Sequence, residues 1–78
     1  MPSMSLLTLK PGELGIIESL QESRISPKLL EMGFLPGKEI RFVRAAPGGS
    51  PLYLDLQGHF IALRREEAVA VLLKKGNP

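Results

Sequence analysis

Residues 52–63 read LYLDLQGHFIAL and carry the clearest strand pattern in the chain. Over residues 52–57 apolar and polar side chains alternate without error, so the three leucines share one face of an extended segment. Gln57 and Gly58 then mark a tight turn into a second short apolar run, residues 59–63. The stretch predicts two antiparallel strands whose leucines point into a core.

The segment before this stretch predicts a third strand. Residues 39–42 (EIRF) alternate in the same way, and the connecting residues 46–51 (APGGSP) have the proline and glycines of a hairpin loop longer than two residues. We therefore expect residues 39–42 to pair with residues 52–57. The three strands would form a meander.

Two further apolar segments predict strands outside the meander. Residues 13–20 (ELGIIESL) follow a Pro-Gly turn, and residues 69–73 follow what reads as a single helical turn. Residues 66–75 (EEAVAVLLKK) also fit a helix, so that alternative stays open. Residues 1–5 and 76–78 read as loose ends.

One segment, residues 25–33, carries helix signals. Ser26 is a good N-cap residue, Pro27 suits the first helical position, and Gly33 suits the left-handed residue that follows a helix. The helix spans about two turns. It lies between the predicted strands 13–20 and 39–42.

These elements predict a mainly β fold. About five short strands and one short inserted helix within 78 residues favour a small, partly open β-barrel of the SH3-like type, because closing a sheet buries one face with little chain. A chain of this length fits a single domain spanning residues 1–78. We expect its ordered core to cover about residues 6–74.

Composition narrows the class of protein. The absence of cysteine excludes a disulfide framework and thiolate metal sites, and no apolar run approaches the roughly 18 residues of a membrane span. The N-terminal residues also lack the pattern of a secretory leader. We therefore expect a cytoplasmic protein that does not insert into a membrane. Ten Lys and Arg against eight Asp and Glu give a formal charge of +2, which by itself indicates no nucleic-acid partner.

Four segments together resemble the FeoA family of bacterial ferrous iron uptake. They are LLTLKPGELGII (residues 6–17), LLEMGFLPGKEI (29–40), AAPGGSPLYLDLQG (45–58) and ALRREEA (62–68). The resemblance covers the chain from Leu6 to about Leu73, although the segment before the helix, residues 21–28, looks shorter than in many members. It implies an SH3-like barrel with an inserted helix. It also implies an accessory role to FeoB, the membrane ferrous iron transporter with a cytoplasmic GTP-binding domain.

Few residues could perform chemistry. The chain has one histidine, His59, and no spacing that indicates a Ser-His-carboxylate set, so we expect no enzyme activity and no cofactor. A ferrous site usually draws on several His and carboxylate ligands. His59 with Asp55 or Glu66 is the only combination available, and we expect His59 to lie at the barrel rim instead. Direct ferrous iron binding is not supported by the sequence.

Nucleotide binding and base stacking are also disfavoured. The spacing from Gly33 to Gly37 is one residue short of a GxxxxGK phosphate loop, and Glu39 stands where a magnesium-binding Ser or Thr belongs. The four aromatic residues do not sit among basic residues in an exposed stacking pattern, and aromatic residues in such a setting more often belong to the core. The four are Phe34, Phe42, Tyr53 and Phe60.

A partner surface is the remaining function, and the short helix is its predicted place. Apolar residues flanked by charge are typical of protein contacts, and methionine adapts to imperfect partners. The predicted contacts are Leu29, Met32 and Phe34, with Lys28 and Glu31 as rim charges. Leu30 is assigned to the core.

The predicted function is thus binding to the cytoplasmic part of FeoB, with modulation of its conformation and hence of GTP hydrolysis or gate opening. One alternative is an SH3-like regulatory domain of the iron-dependent repressor type, which binds peptide, metal or nucleic acid. Another is self-association through edge strands. The sequence leaves open the oligomeric state and whether the effect on FeoB is activating or inhibitory.

Overall fold

The computed structural model describes residues 4–22 and 24–74. The predicted loose ends at residues 1–3 and 76–78 lie outside this range. Within the described residues the fold has two helices, α1 and α2, six strands, β1 to β6, and a 3-10 turn at Leu6–Thr8. The strands are β1 (Met4–Ser5), β2 (Leu14–Leu20), β3 (Glu39–Ala45), β4 (Leu52–Leu56), β5 (His59–Leu63) and β6 (Val71–Leu73), and the helices are α1 (Ser26–Glu31) and α2 (Arg65–Ala68).

All six strands form one antiparallel sheet in the order β1-β6-β2-β3-β4-β5. The predicted mainly β architecture with one short helix inserted between strands is confirmed. Strand β1 was missed, because two residues are too few for an alternating pattern to show. Residues 4 and 5, predicted to be loose, pair with Leu73 and Leu72 of β6.

The predicted meander of β3, β4 and β5 is confirmed. Across β4 and β5, Leu54 lies opposite Ile61 and Leu52 opposite Leu63, and the three leucines of β4 are buried. Positive φ angles at both Gln57 (+49°) and Gly58 (+96°) define a two-residue turn of type I′. This turn fixes the register of the whole hairpin.

The last apolar segment forms a strand after one helical turn and does not form the alternative helix over residues 66–75. Helix α2 ends at Ala68, and β6 then pairs with β2, which places Ile17 opposite Leu73. Both of these side chains are fully buried. A helix through residues 66–75 is therefore wrong.

Strand β2 joins the two halves of the sheet. Its first residues pair with β3 and its later residues pair with β6, with an irregularity in register between Ile17 and Ser19. A Cβ atom at Gly15 would lie 2.7 Å from Cδ1 of Leu73. The absence of a side chain there lets β6 approach β2 closely.

Helix α1 ends in a Schellman motif at Gly33. The φ angle of Gly33 is +99°, as predicted for a left-handed residue after a helix. The N–H of Phe34 donates to the carbonyl of Leu29, and the N–H of Gly33 donates to that of Leu30, both at 3.0 Å. Ser26, predicted as N-cap, is instead the first helical residue, and its hydroxyl donates to the carbonyl of Gln21 at 2.8 Å.

The predicted exposure of the apolar residues around α1 is wrong at three positions. Leu29 and Phe34, expected to face a partner, have 0% exposure, whereas Leu30, assigned to the core, is 47% exposed. The Schellman motif brings the residue after the glycine back against the last helical turn, so Phe34 and Leu29 enter the core together. Leu30 lies about 100° round the helix from Leu29 and points outward.

The aromatic residues do not all belong to the core. Phe34 is buried, and Phe42 and Tyr53 are partly buried. Phe60 is 77% exposed, so its assignment to the core is wrong. The register places Phe60 opposite Asp55 on the outer face of the hairpin, while Ile61 and the leucines of β4 take the inner face.

Within residues 4–22 and 24–74, no helix has the length and hydropathy that a bilayer crossing requires. The core instead consists of side chains from the inner face of the sheet, the 3-10 turn and the two helices. Its largest fully buried members are Phe34, Leu6, Ile17, Leu29, Ile40, Leu54, Leu63, Leu73 and Val71.

Alanine substitutions at two neighbouring leucines, Leu29 and Leu30, test the orientation of α1. We expect Leu29→Ala to lower the free energy of unfolding by about 2–5 kcal/mol, because it leaves a cavity in the core. Leu30→Ala should change it by only about 0.5 kcal/mol, because Leu30 is half exposed. Equilibrium urea unfolding of both variants gives the comparison. Equal losses would contradict the burial of Leu29.

Candidate protein interface

The outward side of α1 and the turn after it form what we call the α1 surface. Its members are Lys28, Leu30, Glu31, Met32 and Leu35. Leu30 and Leu35 are 47% and 42% exposed, and Met32 is half-buried against the core. Apolar groups flanked by charges are typical of the centre and rim of a protein contact.

Shallow grooves flank the α1 surface on two sides. A groove of about 350 Å³ lies beside Leu30, between α1 and the end of β2, and Leu20 and Pro36 also line it. A second groove, of about 250 Å³, separates Met32 from His59 at the start of β5. The exposed apolar groups of α1 thus stand between two depressions that side chains of a partner can enter.

An ion pair connects α1 to α2. Nζ of Lys28 lies 3.2 Å from Oε2 of Glu67, whose side chain is 18% exposed. The other carboxylate oxygen of Glu67, Oε1, accepts the N–H of Arg64 at 2.9 Å and so satisfies the start of α2. Lys28 therefore helps to hold α1 in place, in addition to its predicted position at the rim of a contact.

Of the predicted contact residues, the structure leaves Lys28, Glu31 and Met32 accessible and buries Leu29 and Phe34. Leu30 and Leu35 take their place at the surface and were missed. The glycine C-cap is the signal that could have shown this. It predicts that Leu29 and Phe34, four residues before and one residue after Gly33, pack inward as a pair. The role of Leu30 and Leu35 in binding remains a prediction.

The weak metal candidates do not converge. Asp55 pairs with Phe60 and His59 with Leu56, so the imidazole and the carboxylate lie on opposite faces of the hairpin. Oδ1 of Asp55 also accepts the N–H of Gly58 at 2.7 Å. In the part of the chain that the structure describes, no three His, Asp or Glu residues are grouped as metal ligands.

Glu66 lies at the far end of the hairpin from His59. Glu66 belongs to α2. The preceding residue, Arg65, donates its N–H to the hydroxyl of Ser50 in the loop between β3 and β4. His59 stands at the other end, beside the turn after β4. Strand β4 has five residues, which span about 16 Å, so Glu66 and His59 are too far apart to share an ion.

The glycine turn after α1 has no free amides with which to hold a phosphate. The N–H of Gly37 donates to the carbonyl of Ile17 at 2.8 Å, and that of Lys38 donates to Leu35 at 3.1 Å. The amides of Gly33 and Phe34 are used by the Schellman motif. These bonds agree with a structural turn, because a phosphate loop keeps its amides open for the anion.

Comparison with known proteins now places the chain in a family. The model of the FeoA domain matches residues 4–75. The chain belongs to the FeoA family. Its fold is accordingly an SH3-like barrel, as predicted from the sequence, with the sheet open between β1 and β5.

Two relatives illustrate the similarity. An Fe(2+) transport protein A/Fe(2+) transporter FeoB fusion protein of Porphyromonas gingivalis is 35% identical over 69 residues, which cover 87% of this chain and 8% of the fusion protein. The chain therefore spans only a small part of that protein. A crystal structure of Stenotrophomonas maltophilia FeoA with zinc is 34% identical, with a TM-score of 0.82 over 91% of this chain and 89% of that one. That protein is described as a prokaryotic SH3 domain protein and a candidate activating factor of bacterial ferrous iron transport.

The fold also occurs in repressors. The structure of a manganese-dependent transcriptional repressor in complex with manganese has a TM-score of 0.84 over 94% of this chain and 36% of that one, at 13% identity. At this identity the likeness is one of fold alone.

The pKa of the Glu67 carboxyl is lowered, chiefly because it accepts the N–H of Arg64 and in addition because the Lys28 ammonium lies beside it. The unfolded chain keeps the ordinary pKa near 4.5. Ionised Glu67 therefore adds stability above about pH 4.5, which is lost as the pH falls through the lower folded pKa.

We expect the variant Glu67→Gln to lower the free energy of unfolding at neutral pH and to lose this difference from the parent in acid. Urea unfolding between neutral pH and pH 3, an acid end point chosen about 1.5 units below the ordinary pKa, measures this difference. Glu66→Gln on the same helical turn is the matched control for replacing a carboxylate by an amide. A difference that stays constant with pH would contradict the contribution of the carboxylate.

Proposed function

We propose that this chain is an accessory factor of bacterial ferrous iron uptake that binds the cytoplasmic part of FeoB. It acts on the cytoplasmic side of the membrane without inserting into it. Binding biases the conformation of the transporter, and so its GTP hydrolysis or the opening of its gate. A partner can have this effect only if it binds one conformation more tightly than another.

The observation that carries the proposal is the fusion protein of Porphyromonas gingivalis. In that relative, a region 35% identical to this chain is covalently joined to a sequence named as an Fe(2+) transporter. A covalent link gives two domains a high effective concentration for each other, which supports a functional contact between them. Membership of the FeoA family points to the same process.

We assign the contact to the α1 surface. Leu30, Met32 and Leu35 supply accessible apolar area, and Lys28 and Glu31 supply charges beside it. The flanking grooves at Leu20 and His59 provide concave surfaces on either side that side chains of a partner can enter. Methionine can adjust its side chain to an imperfectly matched partner.

The proposal gives the chain no catalytic step, no cofactor and no nucleic-acid partner. Its weak metal candidates lie apart, and the turn after α1 uses its amides within the fold. The iron ion is then cargo of the transporter and is not bound by this domain. No observation favours the alternative of a repressor-type regulatory domain, since the likeness to a transcriptional repressor is one of fold alone.

Binding of the purified chain to full-length FeoB in lipid nanodiscs tests the proposal. We expect Leu30→Glu to weaken binding at least about tenfold, because it places a charge at the centre of the α1 surface. The binding and the GTPase rate should be measured with and without guanine nucleotide. The variant should lose the effect of the chain on the GTPase rate together with its binding.

Leu14→Glu is the matched control. Leu14 is 48% exposed against 47% for Leu30, but it lies on β2 opposite Arg41, away from the α1 surface. It should bind FeoB like the parent chain. The assignment of the contact would be wrong if both variants bound equally well, or if both lost binding to the same extent.

A further inference from the structure

Strand β5 lies at one end of the sheet and is paired on one side only. The order of strands ends at β5, whose five residues all pair with β4. The opposite end of the sheet is β1, which has only two residues. Strand β5 is therefore the longer of the two open edges.

The hydrogen bonds of β3 show in which direction the backbone groups of this part of the sheet point. The N–H of Phe42 in β3 donates to the carbonyl of Glu13, and its carbonyl accepts from the N–H of Gly12, so both groups point towards β2. Successive residues of a strand direct these groups to opposite sides. Arg41 therefore points its groups towards β4, where its partner is Asp55.

The same alternation continues into β5. Because Asp55 bonds to β3, its neighbour Leu54 directs its groups towards β5, where Ile61 is its partner. The residues on either side of Ile61, Phe60 and Ala62, must then point their N–H and C=O groups away from β4. In the sheet formed by residues 4–22 and 24–74, β5 pairs with β4 alone, so no strand meets the outward groups of Phe60 and Ala62. Outside the strand ladders, no backbone hydrogen bond of these described residues involves either of the two.

This edge lacks the features with which proteins usually protect an open strand. Native edges carry lysine, proline, a bulge or a covering element. Residues 59–63, HFIAL, contain no lysine, carboxylate or proline, and their register with β4 is unbroken. The side chain of Phe60 is 77% exposed, the highest value among the large apolar residues that the structure exposes.

We propose that β5 binds β5 of a second copy of this chain, antiparallel, about a two-fold axis at Ile61. In this register Phe60 of each copy pairs with Ala62 of the other, and the outward N–H and C=O groups of both residues form four hydrogen bonds. The large Phe60 ring lies opposite the small Ala62 side chain on the outer face, twice by symmetry. The same patch thus serves both copies, as an interface with two-fold symmetry requires.

The composition of the strand favours a second copy over a partner of opposite charge. Residues 59–63 contain no lysine, arginine or carboxylate, so the strand offers a charged partner nothing to neutralise, and two such strands bring no like charges against each other. Phe60 and Ala62 are complementary in size in this one register. Two short strands bury less than the roughly 1,200 Å² of a standard stable interface, so the dimer should be weak and dissociate on dilution.

Sedimentation equilibrium and amide hydrogen exchange of the full chain, from micromolar to millimolar concentration, test the pairing. We expect a monomer that becomes a dimer as concentration rises. The amides of Phe60 and Ala62 should exchange rapidly in the monomer and become protected in the dimer. The amide of Ile61 bonds to β4 and should be protected at every concentration.

Two variants block the edge in different ways. Phe60→Lys places an ammonium group opposite the carboxylate of Asp55, which is a favourable cross-strand pair in the monomer. The same lysine on the open edge disfavours pairing with a second copy. Ala62→Pro removes an outward N–H without touching the ladder to β4, a position that proline tolerates. Each should raise the dissociation constant of the dimer at least about tenfold. Leu30→Lys, on the α1 surface, should leave it unchanged.

The inference does not depend on the proposed contact with FeoB, and the variants separate the two. Phe60→Lys should bind FeoB normally, and Leu30→Lys should dimerise normally. A chain that stays monomeric into the millimolar range would overturn the pairing. So would a dimer in which the amides of Phe60 and Ala62 remain unprotected, or an edge that pairs only with a strand of another protein.

Discussion

Two hydrogen bonds close the end of α1, and the orientation of every apolar side chain around that helix follows from them. The N–H groups of Gly33 and Phe34 reach back to the carbonyls of Leu30 and Leu29, which requires the positive φ angle that glycine adopts at little cost. Phe34 is thereby folded against the helix and enters the core with Leu29. Leu30 is left outside, at the centre of the α1 surface.

The sheet provides a rigid support for this helix, and the ion pair between Lys28 and Glu67 connects it to α2. This arrangement presents apolar groups to a partner and brings no set of metal ligands together in the described part of the chain. The proposed binding to FeoB rests on the fusion relative and uses this surface, since a domain of this kind can influence a transporter through contact alone. The proposed pairing of β5 is centred on Ile61, and the α1 surface approaches that strand at its first residue, His59, which lines the groove beside Met32.

Local signals made much of the fold predictable. The alternation in residues 52–57 and the two-residue turn after them determine the hairpin of β4 and β5 by themselves. The contact that buries Leu29 was not predicted, because the side of a two-turn helix that faces a sheet depends on how its end is closed. Phe60 was also misplaced, although the turn pairs it with the polar Asp55 and so indicates the outer face. The prediction of the function rested on resemblance to a family, since a protein-binding surface has no sequence motif of its own.

We propose that the α1 surface meets FeoB while Leu29 and Phe34 beneath it stay in the core. Methyl NMR of the labelled chain with full-length FeoB in nanodiscs tests this contact residue by residue. We expect the methyl signals of Leu30, Met32 and Leu35 to broaden or shift on addition of FeoB, while those of Leu14 remain unchanged. Perturbations confined to other parts of the molecule, or none at saturating FeoB, would contradict it.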